Sequence, residues 1–326
     1  MNKLIQSSLL TVVLAVALYF GFTIYSGSDA VLSAFIALSW QLWLSILALS
    51  LLNYLLRYWR WHGYIKQAGN IRISHAHHLA IYLSGFALTM TPGKAGEAMR
   101  SLYLKQQGVD HQRTLAALFV ERIMDLLAML ILAVFGLSLL EADQGNLAAL
   151  FAAFLVIVCI LAVKLPWQYI LEQDWFKQLP QKPQELGRFL ANLLENANAL
   201  LSTKHFIAGL SIGLLAWGVE GYGLYLVMQD YQGAVFSLQH LANGVAVYSL
   251  AVLLGAIAFL PGGLGGTEAA MVFMLNKLGF DIASATAITL ICRIATLWFA
   301  VILGMIVMFI LSCLGMKPVI SEEANI

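Results

Sequence analysis

Runs of about twenty apolar residues recur along this chain and limit the folds that it can adopt. A helix of that length crosses the hydrocarbon core of a bilayer, which is about 30 Å thick. Charged residues make up 11% of the sequence, whereas a soluble domain carries about 25%. We therefore predict an all-α polytopic membrane protein, with residues 1–326 forming a single membrane domain.

The longest apolar runs predict about six full transmembrane helices. Their approximate limits are 4–26, 31–56, 114–140, 147–165, 205–229 and 283–314. Between the fourth and fifth helices, the polar stretch 166–204 is predicted to be a cytoplasmic loop that contains an interfacial amphipathic helix. The last residues, 315–326, are predicted to form a polar tail.

Two further apolar segments, near 79–91 and 239–260, each end at a Pro-Gly sequence. The first is too short to cross the bilayer core unaided, and its length suits a segment that enters and leaves on one side. We predict that both segments belong to re-entrant hairpins. The residues expected to form the turns are Pro92, Gly93, Gly96, Pro261, Gly262, Gly263 and Gly265.

Lysine and arginine residues are concentrated in segments that would then share one side of the membrane. The positive-inside rule places such segments in the cytoplasm. We therefore expect both termini to be cytoplasmic, in the inner membrane of a bacterial cell. Arg57 and Arg60 lie among tryptophans in the basic segment 57–78, and we interpret them as an anchor to anionic lipid head groups.

The orientation of the segments indicates an inverted repeat, with units at 31–140 and 205–314. Arg122 follows Glu97 by 25 residues, and Arg293 follows Glu268 by 25 residues. Inverted repeats with broken segments that meet near the membrane midplane are typical of transporters. The alternative is that Pro-Gly turns recur by chance in an apolar chain.

Charged side chains inside apolar segments are candidates for substrate binding, because each costs about 2.5 to 3.5 kcal/mol at membrane depth on insertion scales. Arginine suits a phosphate group because its planar fork binds two oxygens at once. Carboxylates would balance the arginines or receive a cationic group. The candidate substrate-binding residues are Lys94, Glu97, Arg100, Glu121, Arg122, Asp125, Glu220, Glu268 and Arg293.

Simpler interpretations of these residues stay open. Arg122 and Asp125 can form a structural ion pair, because residues three apart share one face of a helix. The charges around Lys94 can lie at the membrane interface in a plain helix–turn–helix. Glu220 can be a protonated side chain packed by the neighbouring glycines, and either Glu220 or Glu268 can couple transport to protons.

The sequence offers little for enzyme chemistry, so we expect no catalytic residue, no metal site and no cofactor. His75, His77 and His78 are close in sequence, but we interpret them as a solvated segment beside the membrane. Gly93-Lys94 lacks the spacing and the Ser or Thr of a phosphate-binding loop. The charges are too few and too scattered for a nucleic-acid partner.

Three motifs together resemble a known family. They are Pro92-Gly93-Lys94-x-Gly96-Glu97-x-x-Arg100, Glu121-Arg122-x-x-Asp125, and Pro261-Gly262-Gly263-x-Gly265-x-x-Glu268 with Arg293 later. They resemble the flippase-like membrane proteins of the lysylphosphatidylglycerol synthase transmembrane-region family, also called the UPF0104 group, over roughly 5–315. Members are similar to the membrane half of the multiple peptide resistance factor, which moves aminoacylated phosphatidylglycerol between leaflets. Others are linked to glycosyltransferases that act on polyprenyl-phosphate lipids, or to hopanoid pathways.

The resemblance implies a lipid flippase or translocator for an anionic or phosphate-containing lipid, such as an aminoacylated phospholipid or a polyprenyl-phosphate-linked glycolipid. It implies that Lys94, Arg100, Arg122 and Arg293 contact the lipid phosphate. Because little sequence follows residue 314, we expect no aminoacyl-transferase domain and do not carry over lysyl transfer.

The alternative function is a membrane-embedded transferase, or an accessory subunit for a glycosyltransferase that acts on lipid-linked substrates. The expected partners are a membrane lipid as substrate, a glycosyltransferase or other lipid-modifying enzyme, and a second copy in a homodimer.

Overall fold

The computed structural model describes residues 28–68, 73–91, 96–140, 161, 164–233, 236–258 and 261–316. Every regular element within these ranges is helical, which confirms the predicted all-α class. The predicted helix 4–26 and nearly all of the predicted helix 147–165 lie outside the described residues. Pro92, Gly93 and Lys94 of the first Pro-Gly turn lie outside them as well.

In the first half, the described residues include five α-helices and a short turn of 3-10 helix at Gly85–Leu88. The helices are α1 (Ser28–Ala37), α2 (Trp40–Ala68), α3 (His75–Ser84), α4 (Met99–Lys105) and α5 (His111–Leu140). The predicted helix 31–56 is therefore two helices, and the second of them continues well beyond residue 56. As a result, Arg57 and Arg60 lie within α2 and not in a loop.

Three helices connect the two halves within the predicted polar stretch 166–204. They are α6 (Trp167–Glu172), α7 (Asp174–Lys177) and α8 (Gln181–Leu200). The end of α8 packs on α5 through buried Ala197 and Leu200. Leu186 and Phe189 stay exposed on its first turns. An exposed apolar side on this helix suits a membrane surface, and its interfacial position stays a prediction.

The second half contains α9 (Thr203–Gln232), α10 (Leu238–Ile257), α11 (Gly266–Lys277), α12 (Ile282–Arg293) and α13 (Phe299–Cys313). A 3-10 turn at Pro261–Gly263 separates α10 from α11. Gly262 and Gly265 have positive φ angles of 60° and 79°, which only glycine adopts readily. A single π-helical turn, Ile294–Trp298, interrupts the predicted helix 283–314 directly after Arg293.

Within the described ranges, four helical segments are long and apolar enough to cross a membrane: Trp40–Gln67, Thr203–Gln232, Leu238–Ile257 and Ile282–Cys313. The chain is therefore an integral membrane protein. α5 also has the length, with 30 residues, but it carries a cluster of charges near its middle. The count of six spans, the re-entrant path of the Pro-Gly segments and the two repeat units stay predictions.

Small residues let the long helices approach closely, as is common in membrane bundles. Gly136 of α5 lies directly against Ala246 of α10. Gly221 of α9 faces the Val245 backbone, also on α10. Helices from the two halves therefore pack directly against one another. The candidate functional site lies where they meet.

Gly304 of α13 provides a test of this packing. A Cβ atom there would lie 2.7 Å from the carbonyl carbon of Phe86, in the 3-10 turn of the first half. We expect Gly304→Ala to lower the free energy of unfolding by about 1 to 3 kcal/mol, because backbone cannot yield as a side chain does. Thermal unfolding in detergent measures the change.

The matched control is Gly218→Ala, also within a long helix. A Cβ atom at Gly218 meets nothing within 4 Å. Alanine favours helix over glycine by up to about 1 kcal/mol, so this variant should be as stable as the wild type or slightly more stable. Equal destabilisation of both variants would show that the contact with Phe86 does not determine the stability.

Candidate functional site

Seven charged side chains form one buried cluster at the junction of α2, α4 and α5. The carboxylates are Glu97, Glu121 and Asp125, and the arginines are Arg57, Arg60, Arg100 and Arg122. With every group ionised, the four arginines exceed the three carboxylates by one positive charge. Buried charges are stable only when they are paired, so this cluster is an extended ion-pair network.

Glu121 lies at the centre of the network and is fully buried. Its carboxylate oxygens lie 3.2 Å from Nη2 of Arg57, 3.0 Å from Nη1 of Arg100 and 3.0 Å from Nη2 of Arg122. The Tyr82 hydroxyl also donates to Oε1 at 3.0 Å. One carboxylate therefore holds three guanidinium groups together.

Asp125 joins α5 to α2 and α9. Nη2 of Arg60 donates to its Oδ1, and so does the Trp217 indole N–H at 3.0 Å. Nη2 of Arg57 lies 3.3 Å from Oδ2. Arg57 and Arg60 are only 4% and 3% exposed, so their interpretation as a head-group anchor was wrong. They lie inside the bundle because α2 continues past them and its inward face meets the carboxylates of α5.

Glu97 connects the first Pro-Gly segment to the cluster. Its Oε2 lies 2.9 Å from Nη2 of Arg100 and 3.3 Å from Nη2 of Arg122. The Thr89 hydroxyl donates to its Oε1 at 2.9 Å. Glu97 thus fixes the segment that follows the Pro-Gly turn against α5.

Arg293 and Glu268 form a second buried ion pair in the other half. Nε of Arg293 donates to Oε1 of Glu268 at 2.6 Å, and Nη2 donates to the Gly262 carbonyl at 2.9 Å. Both pairs with a 25-residue spacing, Glu97–Arg122 and Glu268–Arg293, are therefore in contact. Each pair fixes a Pro-Gly segment to the helix that follows it.

A cavity of about 420 Å³ lies between the two halves, and Arg122 and Arg293 both line it. Arg57, Asp125 and Glu220 also line it, whereas Glu97, Arg100, Glu121 and Glu268 are not among its lining residues. Lys94 lies outside the described residues. Most of the remaining wall is apolar and includes Phe86, Leu126, Met129, Val252, Ile257, Leu297 and Ala300.

Arg122 is the most accessible of the clustered arginines. Its side chain is 22% exposed, compared with 5% or less for Arg57, Arg60 and Arg100. Arg293, across the cavity, is 7% exposed. The excess positive charge of the cluster is thus presented to the cavity mainly through Arg122.

Several residues that line the cavity could not be identified from the sequence. Tyr54 of α2 donates its hydroxyl proton to the Thr296 carbonyl at 2.6 Å, within the π-helical turn. This bond joins the two halves at the cavity wall. π-Helical turns are often found at functional sites. Asn53, Trp217 and Tyr248 also line the cavity, and only long-range packing brings them there.

The histidines of α3 are not all solvated, which corrects the sequence-based interpretation for one of them. His75 and His77 are exposed, but His78 is fully buried. The Trp61 indole N–H donates to Nε2 of His78 at 3.2 Å, and Nδ1 of His78 lies 2.8 Å from Nδ1 of His62. Burial lowers the pKa of His78 to about 3, so its imidazole is neutral.

Comparison with known proteins covers almost the whole chain. The model of the lysylphosphatidylglycerol synthase transmembrane region matches residues 9–304. A UPF0104 membrane protein of Methanothermobacter thermautotrophicus is 26% identical over 317 residues, which is 90% of each chain. One from Pyrococcus horikoshii is 23% identical over 277 residues, covering 75% of this chain and 79% of the relative.

A third relative, a UPF0104 membrane protein of Methanocaldococcus jannaschii, is 24% identical over 243 residues, covering 74% of this chain and 98% of the relative. All three relatives are archaeal, so a bacterial inner membrane stays a prediction. The match to the family model confirms the resemblance that the Pro-Gly and Glu-Arg motifs indicated. The chain belongs to the lysylphosphatidylglycerol synthase transmembrane-region family.

Proposed function

We propose that the protein is a translocator that moves an anionic or phosphate-containing lipid across the membrane. The observation that carries the proposal is the cavity that Arg122 and Arg293 line from opposite halves of the chain. A lipid phosphate needs cationic hydrogen-bond donors, and its hydrocarbon chains need apolar walls. The cavity offers both.

The charge of the site favours an anion. The seven-residue cluster has one arginine more than it has carboxylates, and Arg122 is its most accessible arginine. A guanidinium group binds two phosphate oxygens at once, which makes it specific for this geometry. Arg122 is therefore proposed to bind the phosphate first, with Arg293 as the second donor.

Alternating access follows if the two halves are inverted repeat units at 31–140 and 205–314 with re-entrant Pro-Gly hairpins. The contacts of Glu97 with Arg122 and of Glu268 with Arg293 support this arrangement, because each fixes one hairpin within its own unit. Rocking of one unit against the other would then expose the cavity to each leaflet in turn.

Reconstitution tests the function directly. The purified protein is placed in liposomes with fluorescent phosphatidylglycerol, lysyl-phosphatidylglycerol or a polyprenyl-phosphate glycolipid, and the exchange between leaflets is followed by a membrane-impermeant quencher. We expect exchange of at least one of these lipids well above the rate in protein-free liposomes. Exchange at the protein-free rate for all of them would overturn the proposal, and a new lipid product in mass spectra would favour a transferase.

A further inference from the structure

Glu220 differs from the other buried carboxylates around the cavity. Glu97, Glu121, Asp125 and Glu268 each lie within 3.0 Å of an arginine nitrogen. Glu220 is only 4% exposed, yet it forms no ion pair with any residue that the structure describes. Its hydrogen bond comes from the Ser50 hydroxyl, which donates to Oε2 at 3.2 Å.

The groups that face Glu220 do not supply a counter-ion. The titratable and charged side chains near it are Tyr54 and Arg57 of α2, Tyr248 of α10 and Cys292 of α12. Arg57 is the cation among them, but its guanidinium contacts Glu121 and Asp125 instead. An ionised carboxylate without a partner is costly in an apolar interior, so the neutral carboxyl group fits this position better.

The position of Glu220 is also fixed relative to the ligand site. It lines the same cavity as Arg122 and Arg293. Next to it in sequence, Gly221 packs against the Val245 backbone. One turn away, the Ala216 carbonyl accepts a hydrogen bond from Nδ2 of Asn53 at 2.7 Å. The segment of α9 that carries Glu220 is therefore fixed at the wall of this cavity.

The charge count of the site connects this carboxyl group to the anion. The described cluster and the Arg293–Glu268 pair together hold five arginines and four carboxylates, which is one positive charge in excess. With a neutral Glu220, one phosphodiester charge balances the site. With an ionised Glu220, the site is already neutral, and the phosphate would add an uncompensated negative charge in a low-dielectric interior.

We propose that Glu220 is a proton-binding site whose neutral form binds the anionic lipid, so that proton and lipid cross the membrane in the same direction. This inference rests on the proposed function and adds that the proton is the ion whose movement is coupled to that of the lipid. The proton comes from water on the side where the cavity is open, forms the O–H bond of the carboxyl group, and returns to water on the other side.

Lipid binding measured against pH tests the linkage. The probe is short-chain phosphatidylglycerol added to the protein in phosphatidylcholine nanodiscs, with tryptophan fluorescence as the readout. If one proton is linked to binding, the affinity for the lipid should fall by up to about tenfold for each pH unit above the pH at which Glu220 loses its proton. Glu220→Gln, which mimics the neutral acid, should bind tightly at every pH. The control Glu172→Gln alters an exposed glutamate of α6 and should behave like the wild type.

A second measurement does not depend on lipid binding. Infrared spectra at neutral pH should show the carbonyl stretch of a protonated carboxyl group in the wild type, and this band should be lost in Glu220→Gln but kept in Glu172→Gln. Three results would overturn the assignment of Glu220 as a proton-binding site. They are a wild-type affinity that does not change with pH, a pH dependence that is unchanged in Glu220→Gln, and an infrared band that is still present in Glu220→Gln. Absence of phosphatidylglycerol binding at any pH would instead count against the proposed function, and the infrared result alone would then decide the proton site.

Discussion

Arg122→Gln is expected to reduce translocation of the anionic lipid at least about thirtyfold. Truncating one partner of a buried, hydrogen-bonded charge pair costs about 2 to 5 kcal/mol, and each 1.4 kcal/mol corresponds to about tenfold. Arg122 is the most accessible arginine of the cluster and faces the cavity, so we expect the lost interaction to be the proposed one with a lipid phosphate. Leaflet exchange in liposomes measures the effect.

The fold should survive this substitution. Without Arg122, Glu121 still contacts Arg100 and Asp125 still contacts Arg60, and the cluster has three arginines for three carboxylates. Melting temperature in detergent should therefore change little. Arg188→Gln, which alters an exposed residue of α8, is the matched control and should leave exchange unchanged. Wild-type exchange in Arg122→Gln would contradict the role of Arg122 at the phosphate.

Unlike Arg122→Gln, Glu121→Gln is expected to lower the stability of the protein strongly. Its carboxylate contacts Arg57, Arg100 and Arg122 and accepts a hydrogen bond from Tyr82. Removing it leaves four arginines with two carboxylates inside the bundle. Breaking a buried ion pair by deleting one partner costs about 3 to 5 kcal/mol, and we expect a loss of free energy of unfolding in that range.

A double variant separates charge imbalance from simple loss of packing. Glu121→Gln with Arg122→Gln restores an excess of one positive charge, so it should recover part of the stability that Glu121→Gln alone loses. Such non-additivity is expected between residues in contact. Glu172→Gln, at an exposed residue, is the control and should have the same melting temperature as the wild type. Strictly additive losses in the double variant would show that the charge balance of the cluster does not determine its stability.

The long helices were predictable because their apolar runs exceed the length of a bilayer span. The predicted 114–140 corresponds to α5 at His111–Leu140, and the predicted 205–229 corresponds to α9 at Thr203–Gln232. The equal spacing of Glu97–Arg122 and Glu268–Arg293 indicated an inverted repeat, which stays a prediction, and the structure brings both pairs into contact. Because membrane burial of a charge is costly, charged residues in apolar runs were candidates for substrate binding, and this role stays a prediction.

The supporting residues were not predictable, because their roles come from contacts between distant parts of the chain. Arg57 and Arg60 resemble an interfacial anchor in sequence, yet their partners lie on α5, 64 and 65 residues away. His78 lies in a polar stretch, and only its contacts with Trp61 and His62 explain its burial. The π-helical turn after Arg293 has no proline or glycine to mark it. Local sequence does not encode any of these contacts.

A structure of the protein determined by electron cryomicroscopy in nanodiscs that contain phosphatidylglycerol tests the proposed site most directly. We predict density for a lipid phosphate in the cavity, within hydrogen-bond distance of Arg122 and facing Arg293, with its hydrocarbon chains along the apolar wall. A cavity that holds only hydrocarbon, or a lipid phosphate bound elsewhere while Arg122 and Arg293 contact only their carboxylates, would contradict it.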